Sequence, residues 1–317
     1  MPNQSSQRFQ PLDPNSAGPS DSAENLYLLL NPLGNCKPEH PLSLSSLSHA
    51  LGRQAIVRVP RADLSSPRLF PALVQFPVND DSASAFLAIT AAYAAREMAA
   101  RQQYVCAWLT SEQPAEAIAQ HIARQCHALR PAEKGTVVPW FEPLRIALLR
   151  AVMGNAGEVL GPIRTWFYPE VGGGLVKFEG RPSVGELTVP EVARQAQRWA
   201  PQIKHFLEAW RALNTSVKAY SPWRWSGPSG LPGQASTHAW NLIHDAYQRG
   251  LSNPADIHCL NLHRVMVHPL LLHHPAIQQD VAQAVAGNQP LTARFAGYDD
   301  HGWSRIVAAL PQARCYS

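Results

Sequence analysis

The stretch from Val137 to Phe178, VVPWFEPLRIALLRAVMGNAGEVLGPIRTWFYPEVGGGLVKF, decides how the chain is read. Val137 and Val138 are β-branched and suit a short buried strand. Pro143 stands where a helix can begin, since a first-turn residue needs no N–H partner. Leu144, Ile146, Ala147, Leu148, Leu149, Val152 and Met153 are apolar almost all round, which predicts a buried helix rather than an amphipathic one. Gly154 supplies its stop. After Gly161-Pro162, the run from Ile163 to Tyr168 reads as a strand. Turn residues follow from Pro169 to Gly174, and Leu175 to Phe178 is short enough to be the hairpin partner. Strand, helix and hairpin within one short span point to an α+β unit.

Outward from this stretch the pattern continues on the N-terminal side. Residues 1–23 are rich in Ser, Pro, Asn and Gln, too poor in apolar residues to offset ordering entropy, and are expected to be a disordered extension. Asn25 to Leu30, Ala55 to Val59, Ala72 to Phe76 and Val105 to Leu109 are strand candidates. Asp81 to Gln103 is alanine-rich and predicts a helix capped by Ser82 or Ser84. Ile118, Ile122, Cys126 and Leu129 fall on one face of a second helix that begins near Pro114.

Gly180 to Gly185 is the expected boundary between lobes, because strand signals nearly vanish beyond it. Thr188 and Glu191 have the spacing of a capping box. Val192, Ala196, Trp199, Ile203, Phe206, Trp210 and Leu213 then form one apolar seam, which Pro201 must kink or split. Tyr220 to Gln234 is a Pro/Gly-rich loop, and four helices follow, opened near Thr237, Pro254, Pro275 and Asp299 or Asp300. The expected architecture is α+β: an N-terminal lobe over 24–180 with a small mixed sheet and helices, and an all-helical bundle over 186–317.

The central stretch resembles the signature of the effector adaptors, or chaperones, of bacterial type VI secretion. In that family an aromatic-Asp-Pro step opens a helix, a Gly-Pro follows, and an aromatic strand and hairpin close the unit. Trp140-Phe141-Glu142-Pro143, Leu160-Gly161-Pro162-Ile163 and Trp166-Phe167-Tyr168 occupy those places, with Glu142 where the family has Asp. Tyr247-Gln248-Arg249-Gly250-Leu251, Asn253-Pro254-Ala255-Asp256 and His274-Pro275-Ala276-Ile277 are similar to its C-terminal half. The resemblance spans most of residues 24 to 310 as scattered apolar and turn positions. It implies a cytoplasmic protein that binds a cognate toxic effector and helps load it onto the VgrG spike, without catalysis and without a cofactor.

Composition bounds the alternatives. The formal charge is only +4, with no basic run, so nucleic acid is not an expected partner. No segment is apolar for long enough to span a bilayer, and no membrane partner is expected. Five cysteines without a C-x-x-C pair give neither a disulfide framework nor a zinc knuckle, and fit reduced thiols in the cytoplasm.

His258, His263, His268, His273 and His274 are spaced so that no two share a helical face as zinc-protease ligands do, and no metal site is expected. Asp299 and Asp300, before His301, read as helix caps rather than an acid–base pair. Gly172-Gly173-Gly174 lacks the Lys-Ser/Thr of a phosphate loop, and Ser229 misses the nucleophile elbow by one place. Cys106 and Cys126 lie on apolar faces and are expected to be packed. The candidate partner-binding residues are Trp223, Arg224 and Trp225, two indoles and a guanidinium in a Pro/Gly-rich loop, the residue types of interaction hot spots. The same rings could instead plug a groove between lobes. A hydrolase or metal enzyme using His and Asp residues, and a regulatory scaffold unrelated to secretion, are the rival functions.

Overall fold

Tyr27 and Leu29 point to one side of strand β1 (Asn25–Leu30), Leu28 and Leu30 to the other, and all four are fully buried. A strand buried on both faces has no polar alternation to show, which is why β1 reads as an unbroken apolar run. The computed structural model describes residues 24–76, 81–97, 102–130, 137–154, 157–181, 189–214, 225–227 and 229–313. The expected disordered extension, residues 1–23, lies outside these.

Around β1 are β2 (Ile56–Arg58), β3 (Ala72–Phe76), β4 (Val105–Ser111), β5 (Thr165–Pro169) and β6 (Leu175–Glu179). The sheet order is β2-β3-β1-β4-β5-β6, and Leu28 faces Val74 on one neighbour and Trp108 on the other. Every ladder is antiparallel, so the sheet is not the mixed one expected. The strand–helix–strand order invites a parallel pair, because a helix returns the chain to its starting side. Here β3 and β4 do run parallel to each other, but β1 lies between them and opposes both.

Helices cover both faces. Leu47 of α1 (Leu44–Leu51) and Leu87 and Ala94 of α2 (Asp81–Glu97) belong to the core on the Leu28 side. Ile118, Ile122 and Cys126 of α3 (Ala115–Ala128) and Ile146 and Leu149 of α4 (Pro143–Met153) belong to the core on the Tyr27 side. Helix α2 ends at Glu97 rather than Gln103, and Ser82 and Ser84 lie inside it rather than before it. The Glu97 carboxylate accepts the N–H groups of Tyr104 at 2.9 Å and Val105 at 3.2 Å, so by then the chain is already entering β4.

Within the central stretch, Val137 and Val138 are buried but form no strand. The Val138 N–H is taken by the Cys126 carbonyl at 3.0 Å, which gives the open end of α3 a donor instead of a sheet. Pro143 opens α4 and Gly154 ends it, as expected. Glu142 makes no side-chain cap and instead accepts from Arg145 at 3.4 Å. Gly161 has φ +54°, and a Cβ there would lie 2.3 Å from the His121 ring. The hairpin closes through Gly173, whose N–H reaches the Glu170 carbonyl at 2.9 Å.

The chain divides into two compact units, one ending at Ala200 and the next beginning at Pro201. The division falls inside α5 (Glu191–Leu213), some way beyond the expected 180–185, and α5 runs through Pro201 without splitting. Val189 and Ala193 belong to the core on the Tyr27 side of the sheet, so the start of this helical segment is part of the first unit. Val192 and Leu213, at 38% and 39% exposure, leave the expected seam, whereas Ala196, Ile203, Phe206 and Trp210 are fully buried. Thr188 lies outside the described residues.

The second unit holds α6 (Ala235–Gln248), α7 (Pro254–Met266), α8 (Pro275–Val285), α9 (Leu291–Ala296) and α10 (Asp300–Ala308). The described residues of this unit are all helix, turn or loop, as an all-helical bundle requires. Asn253 caps α7, accepting from the Ala255 N–H at 2.9 Å, and Asp299 caps α10, accepting from the Gly302 N–H at 2.7 Å. Short α9 carried no expectation. Two buried aspartates hold it: Asp256 accepts the Thr292 N–H at 3.1 Å, and Asp280 accepts Arg294 Nε at 2.6 Å.

Candidate functional site

Asp245 and Arg249 stand one turn apart near the end of α6, and Arg264 reaches the same carboxylate from the end of α7. Arg249 Nε donates to Asp245 Oδ1 at 3.1 Å, and Arg264 Nη1 donates to Oδ2 at 2.7 Å. Burial pushes the Asp245 carboxyl up, but hydrogen bonds and charge from the two guanidinium groups outweigh it and hold the group below the usual carboxylate range. The chain after α7 turns through Pro269 and Leu270 into a short 3-10 turn, Leu271–His273, and then α8. Arg249, Arg264, Pro269, Leu270, Leu272, His273 and Gln278 line an open cleft of about 370 Å³. The Gln278 amide donates to the Leu272 carbonyl at 2.9 Å, which fixes that wall. Two guanidinium groups share this one carboxylate, with Pro269 and Leu270 beside them. This arrangement can hold an anion.

Sequence reasoning missed this cleft. Its arginines are fifteen residues apart in the chain, and only the meeting of two helix ends brings them to one aspartate. The i, i+4 spacing of Asp245 and Arg249 was the one local signal.

Of the expected partner-binding residues, Trp223 and Arg224 lie outside the described residues. Trp225 is half-buried, its Nε1 donates to the Ser229 carbonyl at 2.7 Å, and its ring lies over Gly227. Ser229 donates its hydroxyl to the Leu231 carbonyl at 2.6 Å and stands as a loop brace, not a nucleophile. Cys106 and Cys126 are fully buried, and burial pushes the Cys126 thiol up to about 12.

Four of the histidines are engaged separately. His258 stacks on His205 with ring centroids 5.3 Å apart. His268 accepts the Leu270 N–H at 3.1 Å, and His274 caps α8 by accepting from Ala276 at 3.2 Å. His263 is stacked on Trp303 at 4.7 Å and meets Phe295 edge-on at 4.9 Å. His263 also approaches Cys259, with Nδ1 and Sγ 3.9 Å apart, a pairing that resembles a thiol–imidazole dyad. It cannot work as one. The Nδ1–H donates to the Cys259 carbonyl at 2.8 Å, and burial pushes the thiol up to about 12, so neither base nor thiolate is on hand. Asp300 and His301 are exposed on the first turn of α10.

Among the described residues no group of three or more His, Cys, Asp or Glu side chains converges as metal ligands would, and no helix is long and apolar enough to cross a membrane. Compared with protein-family models, with curated proteins and with solved structures, the chain matches none.

Proposed function

We propose that the protein is a bacterial type VI secretion adaptor that binds a cognate toxic effector in the cytoplasm and helps load it onto the VgrG spike, with no catalysis of its own. The observation that carries this reading is the packing of the central stretch. Trp140, from the aromatic-acid-Pro step, and Trp166, from the aromatic strand, are both fully buried with ring centroids 5.1 Å apart. Trp140 Nε1 also donates to the Ile122 carbonyl at 3.1 Å, tying the step to α3. The residues that carry the family resemblance thus serve one packed unit, as a fold signature would.

The mechanism proposed is differential binding: the adaptor covers part of the effector, presents it to the spike and releases it on loading. Affinity purification of the tagged protein from its native host, with mass spectrometry of what co-purifies, tests this directly. A VgrG-type spike protein and one large toxin in near-stoichiometric amounts are expected. A clean monomer with neither would overturn the reading. In the same assay, replacing Trp223 and Trp225 with Ala is expected to weaken the complex while leaving the melting temperature nearly unchanged.

A further inference from the structure

We infer that the cleft at the ends of α6 and α7 is a binding site for a short peptide segment that carries a carboxylate side chain beside an apolar one. The inference stands on the cleft alone and does not require the secretion reading.

Charge sets the first half of that class. Asp245 pairs with both arginines, so the cleft offers a partly neutralised guanidinium fork rather than a cluster of free cations, which suits one carboxylate better than a phosphate dianion or a nucleic-acid backbone. Arg249 is the accessible partner, with its side chain 45% exposed, while Arg264 is 16% exposed. Among the described residues the only hydrogen bond of the Arg249 side chain is through Nε. Asp245 therefore holds the guanidinium in place by one edge and leaves its terminal nitrogens for a second, incoming carboxylate. A donor fork already fixed in orientation loses less freedom on binding than a loose lysine would.

The wall sets the second half. Pro269 and Leu270, both partly buried, line the cleft beside the arginines, so a ligand lying along it meets apolar surface next to the charge. A volume of about 370 Å³ is near the small end of ligand sites, which run from roughly 300 to 1,000 Å³. It has room for a few side chains rather than for a folded surface.

Fluorescence anisotropy with the full chain tests the inference. The probe is a labelled Ser-Gly-Leu-Glu-Leu-Gly-Ser peptide, compared with its Glu→Gln counterpart. The acidic peptide should bind saturably and the neutral one about tenfold or more weakly, the scale of a charge-assisted hydrogen bond. Raising salt from about 0.1 M to about 1 M, which shortens the screening length from about 10 to about 3 Å, should weaken the acidic peptide's binding. Arg249→Gln should weaken it about tenfold with an unchanged melting temperature, and Leu270→Ser should weaken both peptides together. Equal binding of the two peptides, no binding of either, or indifference to both substitutions would overturn the inference. Displacement by inorganic phosphate at the concentrations at which unlabelled peptide competes would overturn the peptide class and leave a simple anion site.

Discussion

Pro201 has no N–H, so the carbonyl of Gln197, one turn earlier in α5, loses the donor a helix would give it. Arg145 Nη1 supplies another at 3.0 Å, and the Gln197 side chain answers by donating to the Arg145 carbonyl at 3.0 Å. Burial lowers the pKa of this guanidinium, and Glu142 beside it favours the charged form. Arg145→Met would leave a buried acceptor without a partner, at a cost of about 1–3 kcal/mol read as a lower urea midpoint. In a Pro201→Ala background the restored N–H can return to Gln197, and the same substitution should then cost distinctly less. Equal costs in both backgrounds would show that the arginine is not compensating for the proline. Glu97 carries a pH dependence of its own. Burial raises its pKa from 4.5 to about 7, against the two backbone N–H bonds that favour the charged form. The folded protein therefore binds this proton more tightly than the unfolded chain does. The stability it contributes is complete below the unfolded value and is lost as pH rises through about 7. Urea unfolding at a series of pH values across that window should show a decline in the native protein and a flatter profile in Glu97→Gln.

Two elements meet at Gly161, where a positive φ and the His121 ring together exclude a side chain. Gly161→Ala is expected to cost about 1–3 kcal/mol from the backbone alone, with more from the clash. Combining it with His121→Ala should return only the clash component, and melting curves of the three variants separate the two. How much of these elements was legible depended on where their partners lie. Helix α4 could be read residue by residue, because Pro143, the apolar run and Gly154 are all local signals. β1, β3 and the β5–β6 hairpin were likewise plain. Val137 and Val138 misled because a pair of β-branched residues states a preference for extended backbone, not whether a neighbouring strand has room for it. Helix α1 was hidden in a serine-rich run, although Ser43 does cap it by accepting from the Ser46 N–H at 3.2 Å. The arginine cleft was illegible for a different reason: it is a property of two helix ends meeting, and no single segment contains it.

At the scale of the whole molecule, the expected boundary and the observed one make different fragments. A fragment of residues 24–181 lacks Val189 and Ala193, which belong to its core, and Gln197, which holds Arg145. It should unfold at lower urea than a fragment of residues 24–213, with far-ultraviolet circular dichroism as the readout. Equal midpoints would place the start of α5 outside the first unit's stability. The sheet order carries one more consequence, for synthesis. β1 is the first described strand in the chain, and its two neighbours are β3 and β4. A ribosome therefore releases Leu26 to Leu30 well before Phe76 and Ser111 have emerged to pair with it. Until β4 leaves the exit tunnel, the nascent chain carries its most apolar strand with at least one open edge, which is the state that ribosome-associated holdases cover and that synonymous codons slowing translation before Val105 would prolong.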